Sequence, residues 1–466
     1  MKNKLKILLI VLVIIVGVVI YMLNTALIIG SGYTAKYLCS QVFMADRDAD
    51  VVFDQDVAPT HPLFRFVSHQ VNPVDQTVTA RAFGFLSPAT AVYREGCGCT
   101  LAVDTSVAEL VQQCQNIAER PARNEIDVWP KGERVDGGNL SADVDFNRLH
   151  TVMQDAFREP SDTSMRNTQA IVVIYKDRII AEKYQEPFTT DTPMLGWSMT
   201  KSVTNALVGI LVRKGQLKRY QPAPVKAWQT AGDERGDITL DQMLRMSSGL
   251  DFEEVYAPFK DATDLLYNSK SMADFAAAKP LRTKPDTEWY YSSGTSNILA
   301  RIVRDKVGGT LADVINFAQK ELFDPIGMVS ALIEADASGS PVGSSYMYAT
   351  ARDWARFGVL IKNDGIWNGT RILPEGWVRY SLTPTPLAPK GEYGAQFWLN
   401  AGAKDNPQNR EFPSLPPDMA YLSGFNLQIV AIIPSRDSVI VRLGATHDDS
   451  WSHEKFIGDV LACINS

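Results

Sequence analysis

The chain is 466 residues long, 45% apolar and 21% charged, with a formal net charge of −7. That length and apolar content suffice for a large folded core in two or more lobes. With 53 acidic against 46 basic side chains, and no Lys/Arg run beyond the first six residues, the charge pattern argues against a nucleic-acid partner.

Lys2, Lys4 and Lys6 precede an apolar run from Ile7 through Ile20, which continues through Tyr21-Met22-Leu23 and Ala26-Leu27-Ile28-Ile29. About 20 mostly apolar residues suffice to cross a bilayer, and three lysines ahead of them predict a cytoplasmic N-terminus with an exported body. No small-x-small cleavage site follows, so residues 1–30 are expected to be an uncleaved single-pass anchor in the inner membrane, with the remainder on the periplasmic side. Residues 31–140 are a membrane-proximal extension holding Cys39, Cys97, Cys99 and Cys114. Four cysteines allow three pairings, and disulfides suit an oxidising compartment. Cys97-Gly98-Cys99 has no histidine cluster beside it, so no metal site is expected, and Cys463 is a buried thiol. A strand is predicted over 77–84 and a short helix over 106–118. Pro121 and the Gly-containing run 131–141 mark a linker. The extension carries no catalytic pattern and is expected to be a brace or spacer.

The main domain is 141–466. A helix is predicted over 145–157, then a hairpin in which 171–175 and 179–184 flank Lys176-Asp177-Arg178. From Leu217 to about Leu415 the pattern is mostly helix and loop. A second hairpin pairs 427–433 with 439–443, and a helix over 451–464 closes the chain. Strands at both ends with helices between imply an α+β fold: an antiparallel sheet built from both chain ends, flanking helices, and an inserted helical lobe. A site would lie in the groove between lobes.

Ser198-Met199-Thr200-Lys201 stands where strand gives way to helix, the latter marked by Val203, Ala206, Leu207, Ile210 and Leu211 and stopped at Gly215. A serine hydroxyl needs a base beside it, and residues three apart on a helix share a face, so Lys201 comes within reach of Ser198. For Lys201 to accept a proton its pKa must fall by roughly 3 units, equivalent to about 4 kcal/mol of burial and like-charge pressure. The same spacing recurs at Ser452-His453-Glu454-Lys455, in a charged stretch, so spacing alone does not establish a site.

The segment Pro285-Asp286-Thr287-Glu288-Trp289-Tyr290-Tyr291-Ser292-Ser293 adds a phenol. In combination with Ser198-x-x-Lys201, Met246-Ser247-Ser248-Gly249-Leu250 and Tyr348 to Gly358, it resembles the serine hydrolases of the β-lactamase and penicillin-binding-protein fold. The likeness is to their class C-like branch of esterases and 6-aminohexanoate-dimer hydrolases. The resemblance implies the β-lactamase/transpeptidase-like fold over about residues 145 to 466. It also implies Tyr291 as proton relay, an oxyanion hole from the backbone N–H groups of Ser198 and Phe425, and a groove strand at Leu422-Ser423-Gly424. Three positions depart from the family pattern: Asp286 and Leu427 replace glycines, and Leu422 replaces the cation that holds a substrate carboxylate. The implied activity is therefore ester or amide hydrolysis of a small molecule lacking that carboxylate, with no cofactor. A true β-lactamase or D,D-peptidase, and a catalytically silent binding or sensor protein, are the alternatives. Gly196-Trp197-Ser198 with a distant His447 also suggests a Ser-His-Asp hydrolase, but the final glycine of that motif and its alternating strand–helix series are absent.

Overall fold

The computed structural model describes residues 2–136, 142–161 and 163–464, so the end of the expected 131–141 linker lies outside the described residues. Helix α1 (Lys2–Phe43) runs without interruption through the boundary expected at residue 30. Among the described residues no helix is long and apolar enough to cross a membrane, so the expected transmembrane helix is not found among them. α1 instead has two halves of opposite character. Ile7, Leu9, Ile10, Leu12, Ile14 and Ile15 stand exposed, whereas residues 29–41 are buried.

The buried half packs on a four-stranded antiparallel sheet in the order β1 (Val67–Asn72), β2 (Thr77–Ala82), β3 (Leu86–Arg94), β4 (Gly98–Leu101). The short helix α2 (Val107–Gln113) follows, opened by a capping box between Ser106 and Glu109. Of the three pairings open to the cysteines, the structure has Cys39–Cys99, which ties α1 to β4, and Cys97–Cys114. Closing a loop of 60 residues this way is worth about 4 kcal/mol on chain-entropy grounds.

The extension packs onto the main domain as a brace. Leu38, Val78 and Leu101 belong to the same apolar core as Val203 and Leu207 of the main domain. Lys36 is buried in an ion pair with Glu334, whose carboxylate also accepts hydrogen bonds from Ser40 Oγ at 2.9 Å and the Cys99 N–H at 2.5 Å. The stretch before the undescribed residues is equally fastened. Glu133, nearly buried, pairs with Arg352 at 3.1 Å and Arg356 at 2.8 Å, while Arg352 also reaches Glu182 and Arg356 reaches Asp353. Gly132 lies in a loop as its sequence suggests, but its carbonyl accepts from Arg356, 224 residues later in the chain. Removing one partner of such a buried pair typically costs about 3–5 kcal/mol.

The main sheet has six strands, every neighbouring pair antiparallel. After α3 (Phe146–Ala156) come β5 (Thr168–Tyr175) and β6 (Arg178–Tyr184); β7 (Trp398–Leu399), β8 (Ala420–Gly424), β9 (Gln428–Ile433) and β10 (Ser438–Gly444) follow more than two hundred residues later. The spatial order β7-β8-β9-β10-β5-β6 joins the two chain ends, with Val441 opposite Val172 and Val430 opposite Val441. Lys176 and Asp177 turn the first hairpin at φ of 50° and 56°, the left-handed pair that a two-residue hairpin requires. Because side chains alternate across a strand, Val172 and Ile174 join one core and Ile171 and Val173 another. Helix α6 (Ala351–Lys362) covers the first face so closely that a Cβ at Gly358 would lie 2.5 Å from Val439. Helix α3 and the last helix, α7 (His453–Leu461), cover the second. Between β6 and β7 lies the helical lobe, beginning with α4 (Thr200–Arg213) and including α5 (Ser293–Val307) packed beside it.

Candidate active site

Ser198 sits in a single 3-10 turn, Trp197–Met199, that delivers the chain into α4. Its neighbour Trp197 adopts φ 49°, a left-handed conformation that costs a bulky residue on the order of 1–3 kcal/mol. Surrounding contacts hold it there. Thr200 Oγ1 donates to the Trp197 carbonyl at 2.7 Å. The rings of Tyr33 and Tyr37 from α1 each stack on the indole at 6.1 Å, and Phe425 meets it edge-on at 5.6 Å. The extension therefore buttresses the turn that carries the candidate nucleophile.

Lys201 follows one helical turn on and is 1% exposed. Its Nζ donates to Ser198 Oγ at 3.2 Å, to Ser293 Oγ at 3.1 Å and to the Ser344 carbonyl at 3.0 Å. Burial lowers its pKa to about 8, with the Glu254 carboxylate pulling the other way. The spacing argument predicts this pairing, and the helix supplies it.

Tyr291 joins them from the segment preceding α5. Its ring centre lies 4.8 Å from Lys201 Nζ, and it lines the same cavity as Ser198, whose hydroxyl acts to lower the phenol's pKa. Tyr393 and Trp398 pack around the ring at 5.8 and 5.3 Å. Burial first, then the negative charge of Glu254, holds the phenol well above its ordinary range, and the Ser198 contact only partly offsets this. At neutral pH the phenol is protonated, a proton donor rather than a base. Asp286 takes the left-handed φ of 58° that its glycine counterpart would adopt freely, and its carboxylate accepts from Ser247 Oγ at 2.6 Å and Gln242 Nε2 at 2.8 Å.

Glu254 is the group that sequence reasoning did not find. It accepts from the Ser293 N–H at 2.7 Å, from Ser293 Oγ at 2.5 Å and from the Tyr256 hydroxyl at 2.9 Å. With its own proton committed to Glu254, the Ser293 hydroxyl turns a lone pair toward Lys201. Glu253-Glu254 reads in the sequence as a solvated acidic pair, and no local pattern distinguishes the second glutamate.

Ser423, Gly424 and Phe425 line the same cavity as Ser198 and Tyr291. The end of β8 runs so close to the nucleophile turn that a Cβ at Gly424 would lie 2.2 Å from the Gly196 carbonyl. Beyond it Asn426 and Leu427 both take left-handed φ, 62° and 60°, so the leucine occupies a backbone position that suits the glycine it replaces. Leu422 is buried in the apolar core and does not line the cavity. His447 is not brought to Ser198; burial lowers its pKa, and its neighbours are Asp56, Asp448 and the Gln55 backbone. The second Ser-x-x-Lys is a helix cap: Ser452 Oγ accepts from the Lys455 N–H at 3.2 Å, and Lys455 Nζ reaches Asp459 at 2.5 Å.

An antiparallel sheet closed by both chain ends, with Ser-x-x-Lys at the head of the helix beside it, defines the serine hydrolases of the β-lactamase fold. The Beta-lactamase family matches residues 153–454, well over half of the sequence, and the chain belongs to that family. It is 26% identical over 335 residues to a 6-aminohexanoate-dimer hydrolase of Paenarthrobacter ureafaciens, covering 66% of this chain and 80% of that protein. Among solved structures, a candidate 6-aminohexanoate-dimer hydrolase from Bacillus anthracis superposes with a TM-score of 0.53 at 20% identity, covering 75% of this chain and 87% of its own. A penicillin-binding protein homologue from Caulobacter crescentus gives 0.52 at 15% identity, covering 71% and 99%. These two likenesses concern the fold.

Proposed function

We propose that the protein is a serine hydrolase that cleaves an ester or amide through an acyl-enzyme on Ser198. The observation that carries this reading is the buried Lys201 amine, 3.2 Å from Ser198 Oγ and lowered to a pKa of about 8. In its neutral form the amine takes the Ser198 proton as the oxygen attacks the carbonyl. Tyr291, held as a neutral phenol beside Lys201, passes a proton to the leaving group and is reprotonated from Lys201, which returns to the neutral amine. The backbone N–H groups of Ser198 and Phe425 serve as the oxyanion hole, each such donor being worth about 2.7–4 kcal/mol to the transition state. Water then releases the acid, with Lys201 as base.

Leu422, withdrawn into the core, supplies no cation to hold a substrate carboxylate, which favours ester or amide substrates over penicillins. The 6-aminohexanoate-dimer hydrolase relative keeps amides within this range. The same reading places the body outside the cytoplasm, with the first half of α1 against a membrane. It is supported by the two disulfides, the three leading lysines and the exposed apolar side chains of that half.

The test is labelling by a fluorophosphonate together with a panel of p-nitrophenyl esters, amides and penicillin-type reporters. Labelling lost in Ser198→Ala, and turnover lost in Lys201→Ala but kept in His447→Ala, are expected. An unlabelled protein that turns over no ester or amide would overturn the reading.

A further inference from the structure

The cavity that opens on Ser198 encloses about 530 Å³, within the range of small-molecule sites, and much of its wall does not come from the hydrolase domain. α1 contributes Ala26, Leu27, Gly30 and Tyr33; the segment from β1 to β3 and the turns before it contributes Leu63, Phe64, Phe66 and Phe83. Opposite them stand Pro258, Leu266 and Tyr267 of the helical lobe. Ser198, Glu254, Tyr291 and Ser423 line it together with Thr60, His61 and Thr263, and the rest of the wall is largely hydrocarbon and ring. Several of these apolar groups are left open to solvent: Phe66 is 49% exposed, Phe83 50% and Leu63 56%. Apolar surface gathered in one cleft is a ligand-binding feature, unlike apolar residues scattered singly over a surface. Along α1, the pocket residue Ala26 is preceded by exposed Tyr21, Met22 and Leu23, so apolar surface continues from the cavity onto the outer helix.

We infer that the extension and α1 build a chain-binding pocket, and that the substrate is an ester or amide carrying a long unbranched apolar chain beside its scissile carbonyl. This rests on the hydrolase reading above and adds to it the substrate class. The chain lies under Phe64, Phe66 and Phe83, and the carbonyl meets Ser198. Hydrolysis adds water across the scissile bond: the acyl carbon gains the hydroxyl, and the alcohol or amine leaves with the proton. A cavity walled this way rewards each methylene it buries, by roughly three- to fourfold in kcat/KM, until it is full.

Two homologous series measured on the full chain in detergent test this: p-nitrophenyl esters with acyl chains of increasing length, and alkyl acetates of increasing alcohol length. At least one series should climb by more than a hundredfold before levelling. Ala26→Trp, which fills the α1 wall, should lower the long-to-short ratio at least tenfold in that series. Leu63→Gln, at an exposed position that does not endanger folding, should lower the same ratio several-fold. The ratio is taken within one preparation, so a partly unfolded sample does not alter it. Turnover with a flat profile in both series, or a long-chain preference indifferent to both substitutions, overturns this inference and leaves the hydrolase reading standing. No turnover and no fluorophosphonate labelling removes both.

Discussion

Glu254→Gln is the perturbation that separates the charge of the Glu254 side chain from its shape. Glutamine keeps one oxygen to accept from the Ser293 and Tyr256 hydroxyls, so the hydrogen bond that aims Ser293 at Lys201 survives, while its amide nitrogen gives up the bond from the Ser293 N–H. Hydrogen-bond legs of 3.1 and 2.5 Å put the carboxylate oxygen within about 5.6 Å of Lys201 Nζ. Coulomb's law over that distance gives about 0.7 kcal/mol at the dielectric of water and about 3 kcal/mol at an effective dielectric of 20. Those limits correspond to a fall in the Lys201 pKa of about 0.5 to 2 units. The sign is fixed: a carboxylate stabilises the ammonium, so removing it favours the neutral amine. In the unaltered protein a pKa of about 8 leaves the amine neutral in roughly one molecule in ten at pH 7. kcat/KM should therefore rise with pH through about 8 and level above it, and in Glu254→Gln the rise should come 0.5 to 2 units earlier. The assay is the pH dependence of kcat/KM on a p-nitrophenyl ester, whose leaving group needs no protonation, so the limb reports the base alone. A rise that stays in place or moves to higher pH in the variant would refute the electrostatic reasoning.

Tyr291→Phe should distinguish substrates by leaving group. An amide or alkyl ester should lose about 10²- to 10³-fold in kcat, whereas a p-nitrophenyl ester should lose under tenfold, because only the poor leaving groups need the phenol's proton. Equal losses on both would remove Tyr291 as the acid. Gly424→Ala puts a methyl where the Gly196 carbonyl already stands, 2.2 Å away. β8 must then shift from the nucleophile turn, and kcat should fall at least a hundredfold with the thermal transition still cooperative. Unchanged kcat in that variant would show that this strand does not complete the oxyanion hole.

Where the chemistry is local, the sequence is readable. Ser198 and Lys201 meet because three residues make about one helical turn, and the two hairpins announce themselves by short apolar runs flanking Lys176-Asp177 and Pro434 to Asp437. The helix after Ser198 and the closing helix follow from local periodicity, and strand signals near both ends of the main domain point to a sheet joined from them. Tyr291 is legible only in combination with the other family segments, since a Trp-Tyr-Tyr cluster alone reads as core. What escapes is what depends on distant partners. Glu254 matters through Ser293, 39 residues away, and Glu133 through arginines more than 200 residues away. The extension reads only as a brace or spacer, because the segment carries no catalytic pattern. The meaning of its aromatic residues lies in Trp197 and the cleft, which folding brings to them. Asp286 and Leu427 show the reverse case: substitution of two glycines leaves the backbone path in place, in the left-handed region, at a conformational cost met elsewhere in the fold.

Tyr33 and Tyr37 press on the indole of Trp197 from a helix that begins at the far end of the chain. A version cut at residue 140 to isolate the family-matching portion would strip that indole of two of its ring neighbours and free a backbone angle that relaxes once released. The geometry of the Ser198 turn is in this sense a property of the extension as well as of the family-matching portion, and a shortened form would retain the motif while losing the contacts that hold its posture.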